Sequence, residues 1–224
     1  MGGTPSRVRA TSSLSVTRSM RPRITRVTQA TVLFADLRGY TGLAEALAPG
    51  QIIPLLDEFI HVLASAAASH GGQVFHVAGD GMMAGFGVDT AAEEGARSAL
   101  AAGHTMLSGF APLAARWREE LSIDTGIGIG LHMGEVALGL LGPPGKRHPT
   151  LVGDTVNVAA RLCGRARAGE VLLSCTVASA VKAHRAEQGS QRTPFLQLPQ
   201  FELKGRRAPL DIWCVPAAER LAVT

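Results

Sequence analysis

Residues 73–86 read as two short strand-forming runs, 73–78 and 82–86, on either side of the turn Gly79-Asp80-Gly81. Asp and Gly are the residues such turns select, so the segment predicts a β-hairpin. Long helical stretches precede and follow it, and that placement constrains the fold more than any other feature. Residues 29–36 predict a buried strand, and 42–48 a short helix ended by Pro49-Gly50. A longer amphipathic helix is expected over 51–69, with Ile52, Ile53, Leu55, Leu56, Phe59, Ile60 and Leu63 at helical spacing. Pro54 fits only near its first turn, and Gly71-Gly72 ends it. After the hairpin, residues 90–121 are Ala-rich and helical, with an interruption expected near Gly109 and Pro112. A strand pair at 123–132 and 136–140 follows, then a helix capped by Asp154 or Thr155 and running to about 166. A strand at 170–174, a helix at 175–185 and a hairpin near 195–203 and 209–215 complete the chain. The order β-α-β-β-α-β is that of a ferredoxin-like α+β core with C-terminal additions.

A core of that size needs apolar material, and 46% of the 224 residues are hydrophobic, although only 4% are aromatic. The formal charge of +4 is unevenly spread. Residues 1–28 hold Arg7, Arg9, Arg18, Arg21, Arg23 and Arg26 with no Lys and no acid, so removing these six leaves −2 for residues 29–224. We therefore expect a disordered basic tail or linker over 1–28, a folded domain over 29–216 and a C-terminal tail over 217–224. The body carries no basic surplus, and no nucleic-acid partner is expected. No apolar stretch approaches the roughly 18 residues a bilayer demands, so no membrane span is expected. The start lacks the apolar segment of a secretory signal. Cys163, Cys175 and Cys214 are odd in number without CxxC spacing, which fits reduced thiols and a cytoplasmic protein.

Chemistry concentrates at Asp36 and Asp80, which end strand-like runs 44 positions apart. Taken singly, Asp36 reads as a helix cap and Asp80 as a turn residue. Together they differ, because a β-α-β-β unit lays the first strand beside the hairpin and brings both carboxylates to one place. Mg²⁺ is commonly held by one or two carboxylates plus substrate phosphates. A third signal follows the turn Gly153-Asp154-Thr155, where Asn157 and Arg161 are four apart and share a helix face.

The segments Phe34-Ala35-Asp36-Leu37-Arg38-Gly39-Tyr40-Thr41, Gly79-Asp80 with Met83-Ala84-Gly85-Phe86-Gly87, and Gly128-Ile129-Gly130-Leu131-His132-Met133-Gly134-Glu135-Val136 stand in a definite order. They are followed by Val152-Gly153-Asp154-Thr155-Val156-Asn157-Val158-Ala159-Ala160-Arg161-Leu162 and by Leu203-Lys204-Gly205. In this order the chain resembles the class III nucleotidyl cyclases, the adenylate and guanylate cyclase catalytic domain. The resemblance implies an enzyme that converts ATP to 3′,5′-cyclic AMP and pyrophosphate. It matches Asp36 and Asp80 to ligands of two Mg²⁺ or Mn²⁺ ions, and Leu37, Arg38, Gly39, Tyr40 and Thr41 to the turn that offers N–H groups to the triphosphate. It matches Asn157 to the residue that orients the ribose. Arg161 is matched to the group that stabilises charge on the α-phosphate, and Lys204 to the lysine at the triphosphate end.

The resemblance further implies a head-to-tail homodimer. The metal residues come from one subunit, and the base-selecting and charge-stabilising residues from the other. The segment Gly142-Pro143-Pro144-Gly145-Lys146-Arg147 lies where the family has an arm that reaches over its partner. The departure is in base selection. Adenylate cyclases usually carry Lys and guanylate cyclases Glu where this chain has His76, and the second base-selecting position is Thr150. A hydroxyl and an imidazole can each serve adenine or guanine. ATP is the expected substrate, with GTP or mixed selectivity the alternative. A non-catalytic cyclase-like module is a further alternative, although such modules usually lack one of the residues kept here. The Gly-Gly-(Asp/Glu)-Glu-Phe hairpin of diguanylate cyclases is absent.

Overall fold

The computed structural model describes residues 23–188, 195–202 and 209–215, with side chains from residue 26 onward. The elements in chain order are β1 (Arg23–Arg38), α1 (Tyr40–Ala46), α2 (Pro49–Ser69), β2 (Gln73–Ala78), β3 (Gly81–Phe86) and α3 (Ala92–Leu121). They continue with β4 (Gly126–Leu141), β5 (His148–Val152), α4 (Asp154–Arg165), β6 (Glu170–Ser174), α5 (Cys175–Glu187), β7 (Leu196–Phe201) and β8 (Leu210–Val215). The sheet runs β2-β3-β1-β4-β6-β8-β7, with β5 paired to β4. Its first four strands are antiparallel neighbours in the order of a ferredoxin-like core. β6 adds parallel to β4, and β8 comes between β6 and β7.

Period-two alternation along β1 assigns each residue to a face. Leu33, Ala35 and Leu37 join the larger core, which is completed by Phe59 and Leu63 of α2, Met106 and Phe110 of α3 and Val177 of α5. Ala30 and Val32 point the other way, into a core shared with Met83, Leu151 and Ala159 of α4. Asp36 is in phase with Ala30 and Val32, so it emerges on the α4 face, beyond the end of that core.

Several elements differ from the sequence expectation, each for a physical reason. β1 begins at Arg23 rather than 29, because Val27 and Arg23 pair with Ala137 and Leu140 of a longer β4. Arg26 is ion-paired to Asp89, so two of the tail's arginines lie in the sheet. β4 is a single strand rather than a pair, and its second half pairs instead with β5. β5 was hidden by Pro149, which an edge strand tolerates because no second neighbour needs its N–H. α2 starts at Pro49, placing Pro54 inside the helix. α3 is unbroken through Gly109 and Pro112. Pro112 and Ser108, whose carbonyl loses its donor, both lie on the exposed side. Buried edge-to-face contacts of Phe110 with Phe59 (5.3 Å) and Trp117 (5.4 Å) hold the helix on both sides of the proline.

Among the described residues α2 is long and apolar enough to cross a membrane, contrary to the sequence expectation. In the fold its Phe59, Leu63, Ala66 and Ala67 are buried against the sheet and α3.

Candidate active site

Asp36 faces Gly81 across β1 and β3, and the backbone N–H of Leu37 donates to the carbonyl of Asp80 at 2.9 Å. The two acidic residues are thus tied by the main chain, and each is only partly exposed. A Cβ on Gly81 would stand 3.2 Å from Asp36 Oδ1, so glycine here leaves that oxygen open. Burial raises the Asp36 carboxyl above its ordinary range, the nearby Asp80 charge raises it further, and Arg38 opposes both. Two carboxylates held together against their own repulsion suit a hard divalent cation. Among the described residues no cluster of three or more His, Cys, Asp or Glu forms a closed metal cage. A pair completed by substrate phosphates is what a Mg²⁺ site needs.

One residue of the turn after β1 departs from the sequence expectation. Leu37, expected to offer its N–H to phosphate, already gives it to Asp80. The Arg38 side chain turns to α4: Nη1 donates to Asp36 Oδ2, Nη2 to the Cys163 carbonyl, and Nε to the Ala166 carbonyl at 2.8 Å. Gly39, at φ 89°, opens α1, and a Cβ there would overlap the Asp124 carbonyl. Tyr40 and Thr41 then form the first turn of α1, which no side chain caps.

A cavity of about 300 Å³ opens beside Asp36, lined also by Phe34, His76 and Met83 and, from α4, by Ala160, Cys163 and Gly164. Burial pushes the Cys163 thiol up to about 12, and it donates to the Gly128 carbonyl at 3.2 Å. It is a packing group, not a nucleophile. Asn157 and Arg161 do not line this cavity. They are exposed on the side of α4 away from its buried Val158, Ala159 and Leu162. The N-cap of α4 is Gly153 rather than Asp154 or Thr155. Thr155 is buried and donates to the Glu135 carbonyl at 2.6 Å. Thr150 is half-buried on β5, which packs beside β2, the strand of His76. Lys204 lies outside the described residues.

Residues 23–215 match the family model of the adenylate and guanylate cyclase catalytic domain. The chain belongs to that family. This cyclase domain is 33% identical over 142 residues to an adenylate cyclase of Anabaena cylindrica, covering 60% of this chain and 26% of the relative. Over 200 residues it is 28% identical to adenylate cyclase 1 of Rhizobium meliloti, covering 88% of this chain and 29% of the relative. The chain thus spans less than a third of the length of these curated relatives. Among solved structures it resembles the adenylyl cyclase CyaB from P. aeruginosa with a TM-score of 0.78 and 27% identity, over 87% of this chain and 97% of that one. It resembles the guanylyl cyclase Cya2 with a TM-score of 0.75 and 25% identity, over 88% and 95% of the two chains.

The cyclase domain also uses residues that the sequence reading passed over. A Cβ on Gly130 would overlap the Cys163 N and lie 2.5 Å from the Ala159 carbonyl, so α4 rests directly on β4 there. A Cβ on Gly128 would lie 2.6 Å from Arg38 Nε, so that glycine makes room for the guanidinium. The signal was present in the sequence: Gly126, Gly128 and Gly130 recur at period two on a strand, marking one face where something approaches closely.

Proposed function

We propose that this cyclase domain converts ATP to 3′,5′-cyclic AMP and pyrophosphate at sites shared between two head-to-tail copies. The observation that carries the reading is the separation within one chain. Asp36, tied through Leu37 to Asp80, lines a cavity that Asn157 and Arg161 do not, while those two side chains are exposed on α4. A second copy is the simplest source of the missing half. Two divalent cations, Mg²⁺ or Mn²⁺, held by Asp36 and Asp80 would supply charge for activating the ribose 3′-hydroxyl and for the departing pyrophosphate.

The chain's own groups do the rest. Asp36 and Asp80 would hold the cations, and the α1 turn from Arg38 to Thr41 would lie beside the triphosphate. Asn157 of the second copy orients the ribose, so that the 3′-oxygen is in line with the α-phosphorus. The 3′-hydroxyl gives up its proton to solvent water, the new O–P bond forms, and the bond to the bridging oxygen breaks, with pyrophosphate leaving. Arg161 donates to the charge that builds on the α-phosphate, and Lys204 neutralises the triphosphate end. His76 and Thr150 meet the base.

His76 also favours a second reading, mixed selectivity between ATP and GTP, because an imidazole donates or accepts where Lys only donates and Glu only accepts. Purified protein incubated with Mn²⁺ or Mg²⁺ and either nucleotide, with products identified by mass spectrometry, tests both readings. Cyclic AMP and pyrophosphate from ATP support the first. A comparable rate with GTP selects the second, and no cyclic product from either nucleotide would overturn both.

A further inference from the structure

We infer that Arg38 is a positioning residue that couples the two active sites of the dimer, joining the metal-binding half of one to the α4 half of the other. The inference rests on the shared-site reading above. The Arg38 guanidinium has three partners from two elements: Asp36 on its own strand, and the Cys163 and Ala166 carbonyls at the C-terminal end of α4. A planar, rigid fork of this kind fixes the mutual orientation of its partners, which an ammonium cannot do. A cation at a helix C-terminus also meets the negative end of the helix dipole.

The seat is built for this group. Gly128 leaves open the volume that the guanidinium fills, and the Arg38 side chain is 23% exposed against 37% for Asp36. The same helix carries Asn157 six residues and Arg161 two residues before Cys163, so the anchor and Asn157 are about 9 Å apart along a rigid element. In the shared-site dimer those residues serve the other site. Whatever shifts Asp36 therefore pulls, through Arg38, on the helix that serves the neighbouring reaction.

Mixing Asp80→Ala with Asn157→Ala chains gives a heterodimer with one intact site. Its carboxylates come from the Asn157→Ala chain, and its Asn157 and Arg161 come from the Asp80→Ala chain. We place Arg38→Gln on the Asp80→Ala chain only, whose own carboxylate site is already disabled. The expected result is a kcat at least tenfold lower, in the range that a misplaced catalytic group produces, with the half-activating Mn²⁺ concentration unchanged. Gly128→Ala on that chain displaces the guanidinium without removing it, and is expected to give the same split. A kcat within about twofold of the parent heterodimer for both variants would overturn the coupling, since that chain would then need no Arg38 to place α4.

A second readout does not depend on turnover. Amide hydrogen exchange at residues 163–166 should speed up in the Arg38→Gln homodimer, and Mn²⁺ added to the parent should alter exchange at these amides but not in the variant. Unchanged exchange in both comparisons would also overturn the inference. If the heterodimer with Arg38 intact is formed but inactive, the shared-site reading itself fails and the coupling fails with it. That outcome is distinct from an active heterodimer that is indifferent to Arg38.

Discussion

The backbone N–H of Leu37 donates to the carbonyl of Asp80 at 2.9 Å, joining β1 to the β2–β3 turn at the point where both carboxylates emerge. The spacing of Asp36 and Asp80 is therefore set by main-chain bonding and strand register, independently of any ion. That arrangement has a cost in the metal-free protein, because Asp36 is held partly buried beside a like charge.

Asp36→Asn tests that cost. A carboxyl whose pKa is raised on folding binds its proton more tightly in the folded state, so it opposes folding once pH rises through its folded pKa, and not below its unfolded one. The metal-free variant should therefore melt at a higher temperature than the parent at neutral pH, with the difference vanishing in strong acid. Mn²⁺ should stabilise the parent, by about 2.7 kcal/mol at a hundredfold excess over Kd, and the variant much less. Activity should fall by at least about 10². Thermal melts across pH, with and without Mn²⁺, check the signs. A variant no more stable than the parent at neutral pH would contradict the assignment.

Gly130 and Gly164 make a matched pair. An Ala at 130 meets α4 backbone, whereas an Ala at 164 has nothing within 4 Å. Gly130→Ala should cost about 1–3 kcal/mol or more as α4 is pushed off the sheet. Gly164→Ala, inside α4, should gain roughly 0.5–1 kcal/mol from the helix backbone. Urea unfolding of the two variants reads both values, and equal effects would mean that α4 does not rest on β4 as described.

The ferredoxin-like order was legible because each helix carries its own period and each turn its own punctuation, as in the Gly79-Asp80-Gly81 hairpin. The two aspartates were legible for the same reason. What was hidden depended on tertiary context. Pro149 disguised β5, whose edge position makes a proline harmless. Pro112 looked like a helix break, which the buried Phe59-Phe110-Trp117 stack overrides. The Arg38 side chain had no role in the sequence reading, which took only backbone N–H groups from this turn, because a sequence does not show the two α4 carbonyls that the guanidinium reaches.

Base selection is the next test. In the one-site heterodimer, His76→Lys on the Asp80→Ala chain should raise the ratio of kcat/KM for ATP over GTP by roughly tenfold, since Lys cannot accept from guanine. The same change on the Asn157→Ala chain should leave the ratio unchanged, even though His76 lines the cavity beside its own chain's Asp36. A ratio that responds only to the second placement would move base selection to the chain that supplies the carboxylates.

The shared site is tested most directly by mixing the two single variants that open these experiments. Asp80→Ala and Asn157→Ala should each lose at least about 10² in kcat as homodimers, as removal of a catalytic group typically does. Mixed, they should regain cyclase activity, because each heterodimer keeps one complete site. Activity that stays at the level of the separate variants, with the heterodimer shown to form, would contradict the account.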